Sequence, residues 1–390
     1  MNNKKIPYGL HEITEKDISS IVQVLKESSL TQGTKVPEFE SLVSKKVQSA
    51  YAIAVNSATS ALHLSCLALG LEKGDFLWTT PISFVSSSNC ALFCGASVDF
   101  VDIDLDTGLM SIDSLKEKLI QAEKNKLLPK ILVPVHLGGA SCEMEEIYKL
   151  SKKYNFKILE DASHALGGSY NNHKVGSCEY SDITVFSFHP VKMITTGEGG
   201  LITTNNLSIF SSLKLLRSHG IVKDKRFFVN DNSTPWHYEQ QILGYNFRMS
   251  DINAALGISQ LGRLDNIVRK RSNILDNYKK RLKDLPITFL KTYSNVKSSV
   301  HLGIVSLIDK SPDFHIHVYK EFHKRNIFIQ IHYQPIHLNP YYLKMGFKKG
   351  SYPNAEIYAT SSFSIPIYTK LEKSDFDYVI ETFYSIFNEI

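Results

Sequence analysis

The stretch SFHPVKMITTGEGG, Ser187 to Gly200, decides how this chain folds. A strand-like run, Ile183 to Phe186, leads into it, and a glycine-rich turn closes it. Lys192 therefore sits in a short loop, five residues after Ser187. Its neighbours, Pro190-Val191 and Met193-Ile194, are unlike those of a lysine on a solvated face. A second stretch, KILEDASHALG from Lys157 to Gly167, puts Asp161 at the end of an earlier apolar strand.

Working outward, strands and helices alternate. Strands are predicted at Tyr51–Val55, Phe76–Thr80, Ser97–Val101, Lys130–Val135 and Phe156–Leu159. Helices are predicted at Ser60–Leu69, Phe84–Cys94, Ser114–Lys126 and Glu143–Tyr154. This rhythm implies an α/β fold with a mostly parallel sheet covered on both faces. Ligands of such sheets bind beyond the carboxyl ends of the strands. Ser57, Thr59, Asp161 and Ser187 all fall at such ends.

Before this region lies an amphipathic helix with Ile18, Ile21, Val22 and Leu25 at helical spacing. Thr14 caps it, with Asp17 completing an imperfect capping box. A polar turn, Leu30-Thr31-Gln32-Gly33, and a helix at Pro37–Lys46 follow. Beyond it, a long helix is expected over Ser250–Lys283, then an α+β remainder. That remainder carries strands at Val300–Leu307 and Ile327–His332 and helices at Phe314–Arg325 and Ser374–Asn388. The expected division is an N-terminal segment, 1–30, a large domain, 31–250, and a linking helix with a small C-terminal domain, 251–390.

The 390 residues are 43% hydrophobic and 21% charged, as in soluble globular proteins. The net charge of +5 suits an anionic small substrate, and no dense Lys/Arg stripe suggests nucleic acid. The Asn3-Lys4-Lys5 start has no apolar stretch after it, and no run is long enough to span a membrane. A cytoplasmic protein is expected. The cysteines, Cys66, Cys90, Cys94, Cys142 and Cys178, are odd in number and irregular in spacing. They read as buried free thiols rather than a metal site.

Each candidate residue also has an ordinary reading. Lys192 could be a surface lysine, Asp161 a helix cap, Ser57-Ala58-Thr59 a plain N-cap and Ser187 a loop serine. Phe84 could be core, and His332 and Tyr333 strand residues of a core.

Together, however, the segments resemble the DegT/DnrJ/EryC1/StrS family of sugar aminotransferases, along nearly the whole chain. The motifs are Ser57-Ala58-Thr59 where the family usually has SGT, Glu160 to His164 for EDASH, Ser187 to Lys192 for SxHxxK, and Gly244 to Met249 for GYNxRM. The resemblance implies the fold-type I architecture of enzymes that use pyridoxal 5'-phosphate (PLP), with a smaller α+β domain. It implies Lys192 as the amine that binds the cofactor and Asp161 as the partner of its pyridinium nitrogen. Ser57, Ala58, Thr59 and Ser187 would hold its phosphate, Phe84 would stack on its ring, and His164 would lie near the ring substituents. Asn246 would reach the phosphate in a neighbouring subunit, so a homodimer with shared sites is expected. Relatives with histidine for the lysine are sugar dehydratases; this chain keeps Lys192.

Within the family, the IPYG start, the LTQG turn and QIHYQPIH, Gln330 to His337, are similar to those of the aminotransferases of pseudaminic acid synthesis. That likeness puts Tyr8, Leu30, Thr31, Gln32, Gly33, Gln330, Ile331, His332 and Tyr333 against a nucleotide sugar, with Ser57, Ser187 and Asn246 also facing it. The expected reaction moves an amino group from L-glutamate to C4 of a UDP-linked 4-keto-6-deoxy-N-acetyl hexose. A dry site would bring the Lys192 pKa toward neutrality, so that it shuttles the proton. The rivals are the same chemistry on another UDP- or dTDP-4-keto sugar, a non-catalytic binding protein on the same fold, and a plain α/β binding protein without PLP.

Overall fold

The computed structural model describes residues 4–27, 29–229 and 234–388. Asn3 of the basic start lies outside the described residues. A sheet of seven strands is the centre of the molecule: β1 (Tyr51–Val55), β2 (Phe76–Thr79), β3 (Ser97–Phe100), β4 (Ile131–Val133), β5 (Lys157–Asp161), β6 (Ile183–Ser187) and β7 (Gly200–Thr204). Their order across the sheet is β1-β7-β6-β5-β4-β2-β3. All neighbours run parallel except β7, which is antiparallel to both β1 and β6. β7 was not expected from the sequence. Its glycine start reads as the tail of a turn, and both its faces are buried, so no alternation marks it.

Helices cover both faces: α1 (Glu15–Glu27), α2 (Lys35–Val47), α3 (Ala58–Ala68), α4 (Ser86–Phe93), α5 (Ile112–Asn125), α6 (Met144–Tyr154), α7 (Leu207–Arg217), α8 (Asp251–Leu261) and α9 (Leu264–Arg281). The Thr14–Asp17 capping box forms. Thr14 N donates to Asp17 Oδ2 at 2.8 Å, and Asp17 N to Thr14 Oγ1 at 3.4 Å. The expected long helix over Ser250–Lys283 is two helices, α8 and α9, parted at Gly262-Arg263. Glycine is a weak helix former, and it closes α8 as its C-cap. α4 begins at Ser86 rather than Phe84, which leaves Phe84 on a loop and 60% exposed.

A second layer pairs β8 (Ile287–Phe289), β9 (Gly303–Leu307) and β10 (Ser362–Ile365) in the order β8-β9-β10, all antiparallel. α10 (Pro312–Lys324) and α11 (Lys373–Asn388) cover it, around a core of Val305, Phe322, Phe363 and Phe383. The strand expected from Val300 starts only at Gly303, because Val300 adopts a left-handed φ of 58°. The strand expected over Ile327–His332 is confined to Ile327–Phe328, which pairs in parallel with Ile6–Pro7. This pairing draws the N-terminal segment onto the second layer and seats Tyr8, whose carbonyl accepts from Ile367 N at 2.9 Å.

The turn before α2 is fastened from far along the chain. The buried Asp251 carboxylate accepts from Gly33 N at 2.6 Å, Lys35 N at 2.8 Å and Val36 N at 3.1 Å. All five cysteines are free; Cys66, Cys90, Cys142 and Cys178 are buried, and Cys94 is only half-buried.

Candidate active site

A cavity of about 450 Å³ opens at the carboxyl ends of β1, β5 and β6. The topology brings Lys192, Asp161, His164, Ser57, Ala58, Thr59, Ser187, Phe84, Tyr8, His332 and Tyr333 to its walls.

Lys192 is held by a cinched loop. Phe188 O accepts from both Thr195 Oγ1 and Thr196 N, each at 3.0 Å, and buried Met193 and Ile194 anchor the segment in the core. The side-chain amide of Asn253, on α8, donates to Thr196 O at 2.5 Å. Burial lowers the Lys192 pKa to about 8, against the opposing pull of Asp161.

Asp161 ends β5 and is 5% exposed. Its Oδ2 accepts from Ser87 Oγ at 2.6 Å; its Oδ1 accepts from Ser163 N at 3.2 Å and Ser163 Oγ at 2.5 Å. Ser83 Oγ supports Ser87 Oγ at 2.7 Å. The carboxylate is thus fixed in orientation by hydroxyls from α4 and from its own turn.

His164 makes two contacts. Gly138 N donates to its Nδ1 at 3.3 Å, and its Nε2 lies 3.2 Å from the Tyr333 hydroxyl. Burial first, then the Lys192 charge, hold its pKa well below the usual histidine range. The ring is therefore neutral, and with Nδ1 accepting, Nε2 carries the proton and donates to Tyr333. Burial raises the Tyr333 pKa, so the phenol keeps its own proton for a further acceptor. His332 bonds Ser364 Oγ at 2.9 Å and meets the Tyr8 ring edge-on at 4.9 Å. Burial, then Lys192, push its pKa down to about 3.

The opposite wall is the first turn of α3. Ser57 is its N-cap and accepts from Ser60 N at 3.1 Å; Thr59 Oγ1 bonds Ser86 Oγ at 2.8 Å. No acidic side chain lies in that turn, so its free N–H groups and positive dipole end meet the cavity unopposed.

Some expected residues are not at the cavity in a single chain. Asn246 reads as buried from its apolar and aromatic surroundings, but it is exposed and bridges Ser218 in antiparallel fashion. Leu30, Thr31 and Gln32 are exposed as well. Gln330 is stitched to Ser364 by backbone hydrogen bonds of 3.1 and 2.7 Å, and neither it nor Ile331 lines the cavity. Conversely, Ser83, Ser86, Ser87, Ser163, His189, Glu198 and His301 belong to the site without having been expected. His301 is 2% exposed, with its ring centroid 4.4 Å from that of His164. The run Ser86-Ser87-Ser88 was the one local signal; nothing near His301 marks it.

The chain and its fold have counterparts among known proteins. The DegT/DnrJ/EryC1/StrS aminotransferase family matches residues 11–384, and the chain belongs to it. Over 389 residues it is 39% identical to a UDP-4-amino-4,6-dideoxy-N-acetyl-beta-L-altrosamine transaminase of Campylobacter jejuni, covering 99% of this chain and 98% of that one. The structure of Helicobacter pylori PseC, an aminotransferase of pseudaminic acid biosynthesis, superposes with a TM-score of 0.90 at 31% identity, covering 99% of this chain and all of that one. Streptococcus pneumoniae Spr1654, described as a sugar aminotransferase and solved in its PLP form, superposes with a TM-score of 0.89 at 29% identity, covering 99% of both chains.

The protein is thus a PLP-dependent nucleotide-sugar aminotransferase on the α/β fold expected from its sequence. The cavity suits the cofactor. It offers an amine of lowered pKa, a buried carboxylate, and an N-terminal helix turn backed by Gly200, where a Cβ would stand 2.5 Å from the Ser57 carbonyl.

Proposed function

We propose that this enzyme transfers an amino group from L-glutamate to C4 of UDP-2-acetamido-2,6-dideoxy-beta-L-arabino-hexos-4-ulose, a UDP-linked 4-keto-6-deoxy-N-acetyl hexose, in pseudaminic acid synthesis. One observation carries the choice of substrate: the 39% identity to the Campylobacter transaminase over 99% of the chain. The bound cofactor supplies an aldehyde that takes up amines and a ring that accepts electrons.

The residues of this chain supply the rest. Lys192 holds the cofactor at rest, and its Nζ, with a pKa lowered to about 8, delivers the proton to sugar C4. Asp161 partners the ring nitrogen, kept in place by Ser87 and Ser163. Ser57, Ala58, Thr59 and Ser187 take the phosphate, Phe84 covers a ring face, and His164 stands by the ring substituents. Tyr8, His332 and Tyr333 face the nucleotide sugar from the cavity wall, while Leu30 to Gly33, Gln330 and Ile331, which lie off that cavity, meet it where a second subunit closes the site. In this reading residues 31–250 form the cofactor domain and 251–390 the linking helices and small domain.

A homodimer completes the site. Phe227, Trp236 and Leu243, in the same stretch of chain as Asn246, are 62, 78 and 80% exposed. Large apolar side chains so exposed call for cover. A second copy supplies it and carries Asn246 to the neighbouring phosphate. Among the described residues no helix is long and apolar enough to cross a membrane. We place the enzyme in the cytoplasm, where nucleotide sugars and glutamate meet.

The test is a panel of UDP- and dTDP-linked 4-keto sugars with glutamate, followed by 2-oxoglutarate release. The UDP-linked N-acetyl sugar should turn over at least ~10-fold more efficiently than the others. A dTDP-hexose preference would move the enzyme to another pathway. Absence of any turnover with cofactor bound would make it a binding protein.

A further inference from the structure

α8 stands behind the loop that carries Lys192 and meets it at Thr196 in two ways. Asn253 Nδ2 donates to Thr196 O at 2.5 Å, across 57 positions of sequence. One turn further along the same helix face, a Cβ on Gly257 would stand 2.8 Å from Thr196 Cγ2. That methyl belongs to a β-branched side chain, which has little room to turn away. Helix and loop are therefore in contact at the closest approach that packing allows.

The Asn253 amide is oriented from both ends. Ser250, the N-cap of α8, donates its hydroxyl to Asn253 Oδ1 and accepts from Asn253 N at 3.2 Å. The amide oxygen thus faces Ser250 and the amide nitrogen faces Thr196. The same helix turn is fastened in its own right, because the Asp251 carboxylate takes the amides of Gly33, Lys35 and Val36. Asn253 presents a donor at a fixed point. On the loop side every polar group of Thr196 is engaged: its N–H donates to Phe188 O at 3.0 Å, its hydroxyl to Glu198 O at 2.7 Å, and its carbonyl receives Asn253.

We propose that Asn253 is a positioning residue for amino transfer: through the Thr196 carbonyl it holds the Lys192 amine where cofactor and substrate need it. Lys192 lies four residues before Thr196 in the same loop. A long side chain reaching from a loop is placed only as well as the loop itself. The demand is strict, since misplacing a reacting group by ~1 Å can cost about 100-fold in rate. The proposal rests on Lys192 being the cofactor amine and does not depend on which sugar is used.

The experiment compares PLP with pyridoxamine phosphate, which carries an amine in place of the aldehyde and cannot join a lysine. Full-length apoenzyme is titrated with each, by absorbance and by calorimetry. Asn253→Asp keeps the size but turns an oxygen toward the Thr196 carbonyl, acceptor against acceptor. It should take up PLP at least ~10-fold more slowly, yet bind pyridoxamine phosphate as tightly as the wild type. Asn253→Ala loses the donor without adding a repulsion and should fall between the two. In cofactor-saturated Asn253→Asp, kcat should drop at least ~10-fold with KM for glutamate unchanged. Weaker binding of both cofactor forms would make Asn253 a general prop of the pocket and overturn the proposal. Unaltered PLP uptake in the variants, with borohydride linking PLP to Lys192, would overturn it alone. A borohydride label on another lysine would overturn the reading of Lys192 and the proposal with it. Asn253→Ala introduces no clash, so it decides the matter if Asn253→Asp does not fold.

Discussion

Gly200 lies so close to the main chain of Ser57 that a side-chain carbon on it would stand 2.5 Å from the Ser57 carbonyl and 2.6 Å from Ala58 N. No real Cβ tolerates such a contact, and the obstacle is backbone rather than a yielding side chain. Gly200→Ala must therefore push the first turn of α3 out of place. Cofactor affinity should fall at least ~10-fold, about 1.4 kcal/mol, with the fold retained. Titration of the apoenzyme with PLP, followed by absorbance, checks this. Unchanged affinity would remove that turn as the seat of the phosphate.

Lys192 should be the residue that borohydride links to the cofactor, and mass spectrometry should find the label on its peptide. Burial disfavours the charged amine, so its pKa lies at about 8 rather than 10.5. Cofactor uptake by the apoenzyme requires the free amine. Its rate should therefore climb with pH and level off above about 8. A climb continuing to about pH 10, as for an exposed lysine, would contradict the environment described.

Asp161→Asn keeps the shape but removes the anion. With cofactor bound, turnover should drop at least ~100-fold, about 2.7 kcal/mol. Ser87→Ala frees one carboxylate oxygen and leaves the charge, so its loss should be the smaller of the two. Steady-state kinetics on both variants, with bound cofactor measured by absorbance, makes the comparison. Near-normal rates in Asp161→Asn would assign the role to another acid.

Lys192→Ala and Asn246→Ala should each be inactive or nearly so. In mixed dimers with Asn246 acting across the interface, one site receives both intact residues and the other carries both lesions. Activity should reappear above the sum of the two parents. If heterodimers form and nothing is regained, the shared site is ruled out.

The parallel strands and the placement of Asp161, Ser57 and Ser187 were legible because apolar runs bounded by turn residues show where strands end. β7 was hidden. Gly199-Gly200 reads as a turn, and the four residues left are too few to declare a strand buried on both faces. Ser87 was hidden for another reason. Its bond to Asp161 spans 74 positions, and its own surroundings resemble an ordinary helix start. Asn246 shows a third limit. An apolar and aromatic neighbourhood reads as interior, yet the chain exposes it, because the composition of a short run does not tell whether its neighbours enclose a residue or flank it at the surface.

Asp251 carries a practical corollary. It grips the turn before α2 through the backbone amides of Gly33, Lys35 and Val36, and its own N–H donates to the Leu30 carbonyl at 3.0 Å. All four bonds use main-chain atoms of the turn, so the side chains at 30 and 31 can change without removing any of them, whereas position 32, at a φ of 57°, needs a residue that tolerates a left-handed backbone. The turn is an interchangeable cassette: grafting residues 30–32 from a relative, while keeping Gly33 and Asp251, should retune sugar preference at little expense in stability.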